Sequence, residues 1–139
     1  MIRNICLGID LGTTNSCIAG FKDIDPRSKL KNPEVIENMS SKRITPSVVS
    51  FDDVQVQVGE NALAKRENSP DTTFYCVKRL IGRKYDDAHV KSDKKSYTYK
   101  VYSGTEGKPV LKVATERYNS GNKPGGGFIP IEIEPEQIS

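Results

Sequence analysis

The sequence predicts an α/β protein built mainly from short strands, with a few helices. Short apolar or alternating runs separated by turn residues read as strands. One stretch, 60–68, is rich in helix formers, and a second places Phe74, Val77 and Ile81 at i, i+3 and i+7.

The elements follow in order. Ile5-Cys6-Leu7-Gly8-Ile9 is a nearly continuous apolar run, the pattern of a buried strand, and Asp10 ends it. Leu11-Gly12-Thr13-Thr14-Asn15-Ser16 is a small polar turn, and Cys17–Phe21 returns as a second strand. The unit is therefore a hairpin rather than a strand entering a helix. Asp25–Pro33 is charged and contains Pro26 and Pro33, so it reads as a loop. Val35 and Ile36 mark a short strand. Ser47–Phe51 and Val54–Val58 form a hairpin around Asp52-Asp53, its second strand alternating valine and glutamine. Ser69-Pro70 stops the first helix, Asp71 or Thr72 can cap the second, and Gly82 can end it. Beyond Asp86 the pattern turns to strands: Tyr97–Val101, Pro109–Val113, and the alternating Ile129, Ile131 and Ile133. Pro130 cannot donate to a ladder and places that last strand at an edge. Asn119–Gly127 reads as a flexible loop, and Pro135-Glu136 suits the first turn of a helix.

Composition narrows the function classes. A chain of 139 residues packed as one unit buries roughly two-thirds of its unfolded surface. Only 35% of its residues are hydrophobic, which implies a lean or incomplete core. No apolar run approaches the ~18 residues of a membrane span. Met1–Cys6 lacks the apolar stretch of a secretory signal, so an intracellular, cytoplasmic setting is expected, with no membrane partner. The net charge is +3 with both signs interspersed, and Lys91–Lys95 includes Ser92 and Asp93. This reads as a solvated loop, not a nucleic-acid patch. Cys6, Cys17 and Cys76 are far apart without metal-ligand spacing, as expected of reduced thiols, and His89 stands alone.

Two places carry chemistry. The first is Asp10–Ser16. Gly12 lets backbone N–H groups approach an anion, and Thr13, Thr14, Asn15 and Ser16 add side-chain donors. Asp10, at the end of its strand, can hold a hydrated Mg²⁺ beside phosphate oxygens. The loop has neither the Gly-x-x-x-x-Gly-Lys pattern nor a following helix, so it is no Walker A or dinucleotide loop. An ordinary polar hairpin turn is the competing reading. The second place is Lys78, at the i+4 slot of the apolar stripe begun by Phe74. A lysine there either snorkels to water or meets phosphate in a cleft as a point charge.

Four blocks in order resemble a known family. Leu7–Cys17 resembles the first phosphate loop of the 70-kilodalton heat-shock (Hsp70) chaperones, and Arg43–Val49 their Arg-x-Thr-Pro-Ser segment. Lys78–Arg83 with Tyr85-Asp86-Asp87 resembles a third block, and Pro135–Ser139 a fourth. Asn15 stands where the family often has tyrosine, and 86–127 departs most from the family. The resemblance implies an actin-like, ribonuclease-H-like ATPase fold, of which this chain would form an incomplete first lobe. It implies a core subdomain of 1–42 with 135–139 and a peripheral one of 43–134. Gly12, Thr13, Thr14 and Asn15 would wrap the β- and γ-phosphates of ATP or ADP. Asp10 would orient water around Mg²⁺. Lys78 and Thr13 would be catalytic, the lysine reaching the γ-phosphate. Unfolded polypeptides, J-domain cochaperones and nucleotide exchange factors would be the parent's partners. The family's other phosphate loop, adenosine pocket and peptide-binding domain would lie downstream, so this chain alone should bind ATP weakly and show no turnover. A non-enzymatic scaffold that keeps the lobe surface is the alternative.

Overall fold

The computed structural model describes residues 7–21, 33–52, 55–113 and 127–130. The expected hairpin is present. Strand β1 (Leu7–Leu11) pairs antiparallel with β2 (Asn15–Gly20), leaving Gly12, Thr13 and Thr14 as the connecting loop. On its far edge β2 takes up β3 (Glu34–Val35) at one end and β4 (Thr45–Pro46) at the other. β2 is thus the middle strand of a small sheet.

The expectation of a buried first strand is overturned. β1 runs one residue past Asp10, and Leu7, Ile9 and Leu11 are 53%, 62% and 62% exposed. β1 pairs only with β2 among the described residues, and no element among them packs closely over either of its faces, so all five residues stay exposed.

Packing concentrates in residues 48–113. Strand β5 (Val48–Phe51) lies between β6 (Val56–Val58) and β7 (Thr73–Tyr75), and helix α1 (Glu60–Ala64) seals Ala62 into the core. A third sheet places β9 (Pro109–Val113) between β8 (Val101–Ser103) and β10 (Gly127–Pro130). Among the described residues β10 is an edge strand, which suits Pro130. The valines of β6 are the exposed residues, and Gln57 is the half-buried one. The strand expected at Tyr97–Val101 starts only at Val101. Ile131, Ile133 and Pro135–Ser139 lie outside the described residues, as do the loops at 25–32 and 119–126.

The second expected helix does not form. Pro70–Thr72 makes one 3-10 turn, Thr73–Tyr75 is β7, and Val77–Arg79 makes another 3-10 turn. Thr73, Phe74 and Tyr75 are all buried, so consecutive side chains are covered on both faces. β-Branched and aromatic residues suit such a strand, and its ladder with β5 satisfies the backbone. The helical spacing of Phe74, Val77 and Ile81 is accidental: Ile81 is 50% exposed, whereas Leu80 is completely buried.

Conversely, a helix forms where a basic loop was expected. Helix α2 (Ala88–Asp93) is capped by Asp87, whose carboxylate accepts the His89 backbone N–H at 2.7 Å. That hydrogen bond, helped by Arg83, holds the Asp87 carboxyl below the usual range. Val90 anchors α2 in the core.

An aromatic cluster fills the space between the elements. The rings of Phe74 and Tyr99 meet edge to face at 5.1 Å, and Tyr97 stacks on Tyr99 at 4.9 Å. The Tyr99 hydroxyl donates to the Tyr75 carbonyl. Burial, reinforced by the Asp93 carboxylate, pushes the Tyr97 phenol from 10.0 to about 12, and burial pushes Tyr99 up as well.

Two tests follow from this packing. Leu80→Ala should cost about 2–5 kcal/mol in urea unfolding, while Ile81→Ala should cost about 0.5 kcal/mol. Equal costs would restore the helical reading. The raised tyrosine pKa values stabilise the fold fully below about pH 10, and this contribution is lost as pH rises toward 12. Alkaline titration followed by phenolate absorbance and circular dichroism should therefore show these tyrosines ionising together with unfolding. Smooth ionisation with the fold intact contradicts this.

Candidate functional site

The loop at the end of the first hairpin is tightly wound. A Cβ on Gly12 would lie 2.2 Å from the Asn15 carbonyl oxygen, closer than any side chain can be accommodated without shifting the backbone. The absence of a side chain is what lets the chain reverse here. Thr13 is half-buried, and Thr14 and Asn15 are exposed, so polar groups crown the turn. Asp10 stands two residues before Gly12 on β1, opposite Cys17 in the ladder, and its side chain is exposed.

Ser47, which holds this loop from behind, has no role assigned by the sequence, and Ser16, expected as a side-chain donor to an anion, turns its hydroxyl to Ser47 instead. Ser47 donates its hydroxyl proton to the Gly12 carbonyl at 2.8 Å, and its backbone N–H donates to the Thr14 carbonyl at 2.8 Å. The Ser16 hydroxyl lies 2.9 Å from Ser47 Oγ. A carbonyl can only accept, so the single Ser47 proton is committed to Gly12 and Ser16 is the donor in that second bond. β4 continues the clasp by pairing Pro46 with Asn15 and Thr45 with Ser16. Thr-Pro-Ser was visible as a block, but nothing in its composition told which loop it would touch.

Lys78 reaches the same place from a distant part of the sequence. Cys76 ends β7 in a left-handed conformation, φ 56°, and throws the chain into the turn that carries Lys78. The Lys78 ammonium donates to the Leu11 carbonyl at the root of the loop, across a sequence separation of 67. Its neighbours are used differently: Arg79 pairs with Asp93 and Arg83 with Asp87, both at 3.3 Å. Lys78 thus brings its positive charge to a carbonyl next to the loop.

The structure gathers Gly12, Thr13, Thr14 and Asn15 in one turn, with Lys78 beside it and Asp10 on the adjoining strand. Backbone N–H groups, hydroxyls and an ammonium around a tight glycine turn suit phosphate oxygens. Among the described residues no group of three or more His, Cys, Asp or Glu could hold a metal ion. A Mg²⁺ here would draw on Asp10 together with water and phosphate oxygens, a donor set that this ion accepts.

Comparison with known families matches the model described as "Hsp70 protein" to residues 6–124. The match defines a nucleotide-binding ATPase domain of actin-like fold, present here as antiparallel sheets with few helices among the described residues. The chain belongs to the Hsp70 family, whose full-length members are ATPases and chaperones.

Gly12→Ala should force the loop open at a cost of about 1–3 kcal/mol. Backbone amide resonances of Thr13–Ser16 should move, while those of Leu80 and Val113 stay. An unperturbed loop would show that the close approach to Asn15 is not essential.

Proposed function

We propose that this chain forms one wall of the ATP phosphate site of an Hsp70-type chaperone that couples ATP hydrolysis to binding and release of unfolded polypeptides. The observation that carries the reading is the meeting of Lys78 with the root of the Gly12–Asn15 loop. Gly12, Thr13, Thr14 and Asn15 bind the β- and γ-phosphates through N–H and hydroxyl groups. Asp10 orients the water around Mg²⁺, and Mg²⁺ when bound supplies neutralising charge to the phosphate oxygens. Lys78 leaves the Leu11 carbonyl for the γ-phosphate and, with Thr13, positions the attacking water. Catalysis of this type rests on positioning and charge stabilisation by several groups at once.

Residues 1–42 with 135–139 are proposed as the core subdomain and 43–134 as the peripheral one. The sheets change over at Ser47, a few residues beyond that boundary, because β4 (Thr45–Pro46) still pairs with β2. J-domain cochaperones and nucleotide exchange factors are the partners proposed for the full-length protein. The cytoplasm is the proposed compartment: the thiols of Cys17 and Cys76 are free, and no helix among the described residues is long and apolar enough to cross a membrane. A non-enzymatic, partner-binding role is a second reading, favoured by the exposed Leu7, Ile9 and Leu11 of β1.

In the full-length protein, Lys78→Ala should lower single-turnover ATP hydrolysis by about 10²–10³-fold, with a smaller loss of ATP–Mg²⁺ affinity. Normal turnover in that variant overturns the role given to Lys78.

A further inference from the structure

We infer that Ser47 is a positioning residue for the phosphate loop, turning loop carbonyls to the rear so that loop N–H groups are left for an anion. The inference rests on the nucleotide reading above and adds to it a residue that never touches the ligand.

A tight loop presents both carbonyls and N–H groups, and only the N–H groups suit phosphate. Carbonyl oxygens facing an anion repel it. Ser47 engages two of them, Gly12 through its hydroxyl and Thr14 through its backbone N–H, each at 2.8 Å. In a planar trans peptide the C=O of one residue and the N–H of the next point in opposite directions. Fixing the Gly12 carbonyl on Ser47 therefore turns the Thr13 N–H away from Ser47, and fixing the Thr14 carbonyl does the same for the Asn15 N–H.

The Ser16 hydroxyl strengthens the arrangement. It donates to Ser47 Oγ at 2.9 Å, so the bonds run in one direction, from Ser16 through Ser47 to the Gly12 carbonyl. Hydrogen bonds in such a chain polarise one another. Ser47 is itself half-buried and fixed at both ends, by β4 before it and β5 after it. Its hydroxyl thus has a stationary base from which to hold the loop.

The test uses the 139-residue chain with Ser47→Ala and Ser47→Thr. Alanine removes both Oγ bonds and keeps the backbone bond to Thr14, whereas threonine retains the hydroxyl. ATP–Mg²⁺ is titrated against each protein by NMR, and amide hydrogen exchange of Thr13–Ser16 is measured without nucleotide. Ser47→Ala should weaken ATP–Mg²⁺ by about tenfold or abolish measurable binding. It should also speed exchange in the loop by about tenfold while Leu80 and Val113 keep their protection. Ser47→Thr should recover both readouts. Wild-type affinity in Ser47→Ala overturns the inference, whatever the exchange shows. So does a loss of protection spread evenly through loop and core, which marks a merely structural role. Absence of ATP–Mg²⁺ binding in the wild-type full-length protein defeats the nucleotide reading instead, and loop exchange in the variants then decides alone whether Ser47 orders the loop.

Discussion

Ser47 sits where two unlike parts of the molecule join. Behind it β4 is paired with β2 in a small, exposed sheet; ahead of it Val48 opens β5 in the packed core. Its own hydrogen bonds close the hairpin loop. The first sheet has little apolar packing to hold it, since the side chains along β1 are exposed. Directional bonds through the 45–47 segment give that sheet a fixed position on the better-packed region. The loop therefore depends on an anchor that lies outside the loop.

The same anchor aligns the lysine. β5 pairs with β7 in a register that sets Val48 opposite Tyr75. The turn that follows Cys76 then starts near the strand end that follows Ser47. One strand thus bears on both walls of the site, the glycine loop in front of it and the charge beside it. Burial of Phe74, Tyr75 and Leu80 keeps β7 and the turn seated. The exposed ammonium relies on hydrophobic packing a few residues away for its placement.

The hairpin was legible because strand, small polar turn and strand is a local pattern, but a glycine among hydroxyls fits an ordinary polar turn as well as a phosphate loop, and only the ordered family blocks favoured the second. The packing of Lys78's neighbourhood was not legible. Phe74, Val77 and Ile81 keep helical spacing, yet β pairing covers Thr73, Phe74 and Tyr75 together, and a one-dimensional pattern does not show which partner strand will arrive. α2 was hidden by Lys91 within it and Lys94 and Lys95 after it, although Asp87 ahead of Val90 is an N-cap signal that was there to be read. The burial of β1 was misjudged for a related reason: an apolar run states a tendency to be covered, and the covering surface belongs to other parts of the fold. Ser47 was hidden by its ordinariness, since its value lies in where its proton and its N–H end up.

The long span between Lys78 and Leu11 has a kinetic meaning. The two strands of the hairpin are joined by only Gly12, Thr13 and Thr14, so they can pair as soon as both exist. The Ser47 clasp closes over a separation of 35 residues, and the lysine contact over 67. Each longer closure carries a larger entropic cost and waits on the strands that bring its ends together. During synthesis the glycine loop is thus displayed first, its rear support arrives next, and the positive charge comes last, once β7 has docked on β5. On the proposed nucleotide reading, anion affinity is a late report that the core behind the site has folded.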